Sequence, residues 1–254
     1  MKPSTMIATA AKLAATIMLV QGAVASAAEI KVLSSNGVRS VLLELVPEFE
    51  RTSGHTVTIS HDSANRLTGR IKAGETADLA ILTAPTIEEL TKHGKVAAGS
   101  RVDLARSGVG VSVRAGSPKP DISSAEAFKR TLLDAKSVAY NSTGASGIHF
   151  AGLIERLGIA EQLKAKAKVI PSGNVGELVA KGEAEMAVQQ IPELMAVAGT
   201  EFVGPLPPAL QTITVFPAGI LVDAKQPEAA RALIQFLSTP AAARVIKAKG
   251  MEPG

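Results

Sequence analysis

Along this chain of 254 residues, short β-branched apolar runs alternate with segments whose apolar positions recur at helical spacing. The run at 29–34 predicts a strand. Val38, Leu42, Leu45, Val46 and Phe49 then place one apolar stripe on a helix over 38–51. Strands at 55–60 and 78–82 follow, with helices at 64–73 and 86–93, the latter closed by Gly94 as a C-cap. Beyond Gly108 the pattern predicts strands at 109–113, 137–141, 168–170 and 186–190, and helices at 123–133, 146–157 and 175–181. A long extended run at 212–222 and helices at 227–237 and 240–248 complete it. Strands alternating with helices of this length imply mainly parallel sheets with helices on both faces.

Two extended segments, near 107–114 and 211–222, divide the chain. Between them lies a self-sufficient set of strand–helix units, and the segments outside them form a second set. The pattern predicts two α/β lobes, residues 28–108 with 217–254 and residues 109–216, joined by two crossover strands. Such lobes hinge about the crossover and hold a ligand in the cleft between them.

The first residues stand apart from this pattern. Lys2 and Lys12 precede a short apolar run through Ala14, Met18 and Val20, followed by Val24-Ala25-Ser26-Ala27. A basic start, an apolar middle and an Ala-x-Ala ending predict a signal peptide over 1–27, export to the periplasm and cleavage after about Ala27. The run is too short to span a membrane, so no stable insertion is expected after cleavage. With no Cys, neither disulfides nor a lipid anchor on cysteine is available.

Charge and composition narrow the partner. The net charge of +4 falls to +2 once Lys2 and Lys12 are removed, and the remaining basic residues are interspersed with acids. With one Tyr and no Trp there is no basic stripe carrying stacking platforms, which excludes a nucleic-acid binder. A small anionic ligand fits the mild positive balance. His61, His93 and His149 show no metal-ligand spacing, so no metal site is expected and no cofactor is called for.

In parallel sheets, ligands sit beyond the carboxyl ends of strands, where helix N-termini point. Four polar loops occupy such places: 34–37, 61–66, 141–147 and 172–174. Their open N–H groups and hydroxyls make each a potential anion cradle. The donors they offer are Ser34, Ser35, Asn36, Gly37, Arg39, Ser63, Ala64, Asn65, Arg66, Thr143, Ser146, Gly147, Asn174 and Val175, with Gln190 at a strand end. The 144–147 loop lacks the Gly-Lys-Ser/Thr ending of a phosphate loop, and no Gly-x-Ser-x-Gly elbow is present. His61, Asp62, His149 and Glu177 are the available bases, and no spacing singles one out.

The opening strand Ile30-Lys-Val-Leu, the run Leu67-Thr-Gly-Arg-Ile-Lys-Ala-Gly-Glu-Thr-Ala-Asp-Leu79, Ser146-Gly-Ile148 with Leu157-Gly158, and the helix around 240–246 carry a family likeness. Over nearly the whole mature chain the sequence resembles the periplasmic molybdate-binding proteins of ABC importers, within the type 2 solute-binding fold. The resemblance implies a monomer serving an ABC permease, with an oxyanion held by neutral N–H and hydroxyl donors. The family's first-loop serine falls at or near Gly37, its second-loop serine at Ala64, its Pro-Ala-Gly loop at 145–147, its helix-start valine at Val175 and its strand-end tyrosine at Gln190. Three hydroxyl-bearing positions are therefore changed, and small residues at Gly37 and Ala64 are expected to enlarge the pocket.

Guanidinium and amide donors from Asn36, Arg39, Asn65, Arg66 and Gln190 suit an organic di- or tricarboxylate. The resemblance extends to the family's aconitate isomerase branch. That branch implies cofactor-independent interconversion of trans- and cis-aconitate by a base that moves an allylic proton. Molybdate or tungstate binding is the remaining expectation.

Overall fold

Ser35 ends the first strand, and its hydroxyl oxygen accepts from the Gly37 N–H at 3.3 Å, so the chain tightens into a 3-10 turn before its first helix. This local bond, from a residue type that caps helices, turns the strand end toward a helix start. The computed structural model describes residues 27–254. The expected signal segment, apart from Ala27, lies outside the described residues.

The order of elements is β1 (Glu29–Ser35), a 3-10 turn (Asn36–Val38), α1 (Arg39–Ser53), β2 (Thr56–Asp62), α2 (Ala64–Lys72), β3 (Leu79–Ile81) and α3 (Ala84–Lys92). Then come β4 (Val102–Arg114), α4 (Ala125–Asp134), β5 (Val138–Asn141), α5 (Ala145–Arg156), α6 (Ala160–Lys164), β6 (Ala167–Ile170) and α7 (Gly176–Ala180). The chain continues through β7 (Met186–Gln190), α8 (Ile191–Met195), β8 (Thr200–Pro205), a second 3-10 turn (Pro208–Leu210) and β9 (Ile213–Ile220). It ends with α9 (Pro227–Leu237), α10 (Pro240–Ala248) and β10 (Glu252–Pro253).

The strands join in the order β2-β1-β3-β9-β4-β7-β5-β6, with β8 and β10 also paired to β4. The triplets β2-β1-β3 and β6-β5-β7 are parallel, as the strand–helix alternation predicts. The long strands that return between halves run antiparallel to their neighbours, so the sheet is mixed rather than parallel throughout. Their direction follows from connectivity, since a strand that crosses out of one half and one that crosses back must oppose each other.

Strand β4 is longer than the alternation predicts and serves both lobes. Leu104 and Ala105 join a core with α1, α9 and α10, whereas Val109, Val111 and Val113 join a second core around Phe128, Phe150 and Leu153. The opposite sheet faces are covered by Leu67, Ile71, Ile87 and Leu90 in one lobe and by Val175, Val179 and Leu194 in the other. Helices on both faces thus sandwich each half of the sheet, and the fold is a two-lobed α/β structure.

Two side chains knit this frame. Where the β4–β9 ladder ends, Gln211 takes over: its Oε1 accepts from Val109 N at 2.8 Å and its Nε2 donates to Val109 O at 2.9 Å. Asp78, buried, accepts from Lys31 N at 2.8 Å, Lys225 N at 2.7 Å and Gln226 N at 2.8 Å, and so pins the start of α9 to β1. Among the described residues no helix is long and apolar enough to cross a membrane.

Candidate functional site

The loops at the carboxyl ends of β1, β2, β5 and β6 meet between the lobes. Thr143 Oγ1 donates to Ser63 Oγ at 2.8 Å, and Asn65 Nδ2 donates to the Thr143 carbonyl at 3.0 Å. Ser172 Oγ donates to Asp62 Oδ1 at 2.6 Å. That same oxygen accepts from Ser63 N at 2.7 Å, while Asp62 Oδ2 faces Arg66 Nε at 3.2 Å. Asp62 is therefore a polar latch across the cleft with both oxygens engaged, which leaves it poorly placed to take a proton.

Behind these contacts lies an inner cavity of about 20 Å³, lined in part by Ser35, Asn36, Ser63, Thr83, Asn141 and Gln190. That volume holds roughly one water molecule. Phe216 is the reason. Its ring packs so closely on Gly37 that a Cβ there would stand 2.5 Å from Phe216 Cζ. The small residue at position 37 does not enlarge the pocket, contrary to the sequence-based expectation, because an aromatic ring from β9 fills the space.

Outside the inner cavity opens a larger cleft of about 480 Å³, between the start of α1 and the α7–α8 side of the other lobe. Arg39, Ser40 and Leu43 line one wall, and Asn174, Glu177 and Pro192 line the other. Asn36 and Glu193 are shared by both cavities and mark the neck between them.

Several predicted donors are already used. The Gly37 N–H is spent on Ser35 Oγ, and Asn174 accepts from Gly176 N through Oδ1 while donating from Nδ2 to the Glu193 carbonyl. The Val175 N–H donates to Gln189 Oε1 at 2.9 Å, so it is not open to a ligand. Ser34 is buried with its hydroxyl on the Ser35 carbonyl, and Ser146 and Gly147 are buried at the start of α5 without lining either cavity. Gly147 has a packing reason: a Cβ there would lie 1.5 Å from the Asn141 carbonyl oxygen.

Gln190 Nε2 donates to Thr214 Oγ1 at 2.8 Å, whereas its buried Oε1 has no protein partner, leaving one amide end uncommitted in the cavity wall. Arg39 and Asn65 are exposed, and Arg39 makes no ion pair among the described residues. Arg39 is thus a cation on the cleft rim open to a carboxylate.

The histidines do not gather here. His149 sits on α5 with Nε2 2.8 Å from the Leu210 carbonyl, away from both cavities. His61 pairs in register with Ser34 and lines neither cavity. Burial, reinforced by the Arg39 charge and opposed by the Ser34 carbonyl, lowers its imidazole to about 4. At neutral pH His61 is uncharged. No group of three or more His, Cys, Asp or Glu with metal-binding proximity occurs among the described residues.

Sequence reasoning missed Glu193. Its carboxyl is pushed up to about 8 by burial, with a hydrogen bond from Gln189 acting in the opposite sense. Gln189 Nε2 holds Glu193 Oε1 at 2.7 Å. The one available signal was Ile191-Pro192-Glu193, a proline directly after a strand end that opens a single helical turn and puts the acid in it. Thr83 and Phe216 were missed as lining residues too.

A family model for bacterial extracellular solute-binding proteins matches residues 30–252. The chain is 38% identical over 228 residues to the aconitate isomerase of a Pseudomonas species, covering 87% of each protein. It is 28% identical over 238 residues to the molybdate-binding protein ModA of Azotobacter vinelandii, covering 89% of this chain and 90% of that one. The solved structure of the Azotobacter vinelandii periplasmic molybdate-binding protein superposes with a TM-score of 0.75 at 22% identity, over 87% of this chain and 98% of that one.

Proposed function

The chain belongs to the bacterial extracellular solute-binding proteins, and from that membership we propose that it takes a small organic polycarboxylate into the interlobe cleft and isomerises it, trans-aconitate to cis-aconitate. The observation that carries this reading is the division of space at the site. The inner position holds about 20 Å³ behind Phe216, while about 480 Å³ lies just outside, edged by Arg39. A tetrahedral oxyanion needs a tight inner cradle of open donors; here the Val175 N–H is spent on Gln189 and the cradle is filled. A six-carbon tricarboxylate suits the outer volume, which falls in the usual range for small-molecule sites. The 38% identity to an aconitate isomerase over most of both chains supports the same substrate class.

In this reading Arg39 pairs with one carboxylate at the rim, and the Asn36 amide receives another at the neck. Fixing two carboxylates orients the methylene between them and stabilises the dienolate that forms when its proton leaves. The reaction moves one proton within an allyl unit and needs no cofactor. The protein works in the periplasm after export. A receptor feeding an ABC importer is the second reading, supported by the 28% identity to a molybdate-binding protein.

A melting series separates the ligand classes, because a ligand that binds only the folded state stabilises it by RT ln(1 + [L]/Kd). With molybdate, sulfate, phosphate and trans-aconitate at equal concentration, the largest rise in Tm is expected with trans-aconitate. The largest rise with molybdate would replace the proposal with the receptor reading.

A further inference from the structure

Resting on the isomerase reading, we propose that Glu193 is the single group that carries the allylic proton. Its Oε2 takes the proton from the methylene carbon of bound trans-aconitate and returns it to the far carbon of the same allyl unit. In the first half, the C–H bond breaks and its electron pair enters the allyl system as a dienolate, while an O–H bond forms on Glu193. In the second half, that O–H breaks, a C–H forms at the other terminal carbon and the double bond relocates. The carboxylate is regenerated, and nothing is oxidised or reduced.

Three observations carry the assignment. Glu193 stands at the neck shared by the inner cavity and the outer cleft, where the middle of an elongated tricarboxylate would lie. One of its oxygens is fixed and the other is not: Gln189 Nε2 holds Oε1, and no protein group among the described residues bonds Oε2. The holder is itself held, because the Gln189 amide donates to the Gly173 carbonyl at 2.9 Å and accepts from Val175 N at 2.9 Å. Such support fixes a carboxylate for transfer in two directions along one face of a substrate.

The other bases are committed or displaced. Asp62 is engaged across the latch, His149 lies at Leu210, His61 lines neither cavity, and Glu177 stands on the exposed wall of the outer cleft without reaching the neck. The charged groups facing the cleft from elements packed around α8 are Arg39 on α1 and Glu177 on α7, and neither forms an ion pair with Glu193. Burial raises the Glu193 carboxyl to about 8, close to a working pH, where a general base combines basicity with a useful ionised fraction.

The test compares wild type, Glu193→Gln and Glu193→Asp with trans-aconitate as probe, measuring calorimetric Kd and turnover to cis-aconitate by proton NMR. Glutamine donates a hydrogen bond but carries no proton to carbon. The expected result is a Glu193→Gln variant that binds within about threefold of wild type while kcat falls about 10²- to 10⁴-fold, the usual contribution of a general base. Wild-type kcat/KM should rise with pH through about 8.

A Glu193→Gln variant that turns over within about tenfold of wild type overturns the assignment and leaves the isomerase reading standing. Wild-type protein that binds trans-aconitate and never converts it overturns both. Should Glu193→Gln lose binding or folding, Glu193→Asp decides: kcat lowered more than about tenfold with KM kept supports the assignment, and unchanged kcat overturns it.

Discussion

Phe216 Cζ lies 2.5 Å from where a Cβ on Gly37 would stand, although 178 residues separate them in the chain. This contact closes the inner cavity and, in the proposed reading, displaces the ligand outward. A serine at position 37 would strike a fully buried ring, and overpacking of this kind costs about 1–3 kcal/mol. Gly37→Ser should therefore lower Tm measurably, and Gly37→Ser with Phe216→Leu should recover part of the loss. The double variant should also gain affinity for molybdate in calorimetry. An unchanged Tm in the single variant would show that the ring yields freely.

Gly147 presents a harder limit. A Cβ there meets the Asn141 carbonyl oxygen at 1.5 Å, and no side-chain rotation relieves a clash with backbone. Gly147→Ala should cost more than about 3 kcal/mol in denaturant unfolding and push the start of α5 off the end of β5, weakening trans-aconitate binding with it. A nearly neutral substitution would mean that α5 can shift at little cost.

The strand–helix alternation was legible because burial wrote it into the sequence. Val38, Leu42, Leu45, Val46 and Phe49, spaced as one helical stripe, are all buried. Turn residues at strand ends likewise placed the loops that meet between the lobes. Not every short element was legible: α6 and α8 are too short to show a period, and β8, which ends at Pro205, shows no clear alternation. The antiparallel course of β4 and β9 comes from where the chain crosses, which local pattern does not record. Phe216 against Gly37, and Gln189 on the Val175 N–H, are contacts between distant segments that no spacing announces. Thus the loops around the site could be found from sequence, while which of their donors stay open could not.

Asp78 should be the most sensitive polar residue away from the cleft. It is buried and satisfies three backbone N–H groups from two separate segments. Asp78→Ala leaves those donors without their acceptor, at about 1–3 kcal/mol for each group that water cannot reach. Denaturant unfolding should show a loss of about 3–5 kcal/mol, with catalysis at low temperature kept because the cleft is untouched. A loss under about 1 kcal/mol would mean that water replaces the carboxylate.

Two groups set opposite pH trends in stability. Glu193 is raised to about 8, so between the ordinary carboxylate range and pH 8 the folded state holds a proton that the unfolded state has released. Stability therefore falls as pH rises through that window. His61 is lowered to about 4, so the unfolded chain takes up a proton below 6.5 that the folded state refuses, and stability falls as pH drops from 6.5 toward 4. Urea midpoints should fall as pH rises from about 6.5 to 8 and stay level between about 4.5 and 6.5, where the two slopes cancel; Glu193→Gln should remove the alkaline fall and uncover an acidic one, and His61→Asn should extend the alkaline fall down to about 4.5. Profiles unchanged in both variants would assign the trends to other groups.

Conversion of a tricarboxylate in the cleft is the central claim. Purified wild-type protein incubated separately with trans-aconitate and with cis-aconitate, followed by proton NMR, measures this most directly. Both samples should reach the same mixture at a rate proportional to protein concentration, with Arg39→Ala raising KM. Spectra that stay unchanged in both directions, from protein that still melts higher in the presence of trans-aconitate, would contradict the account.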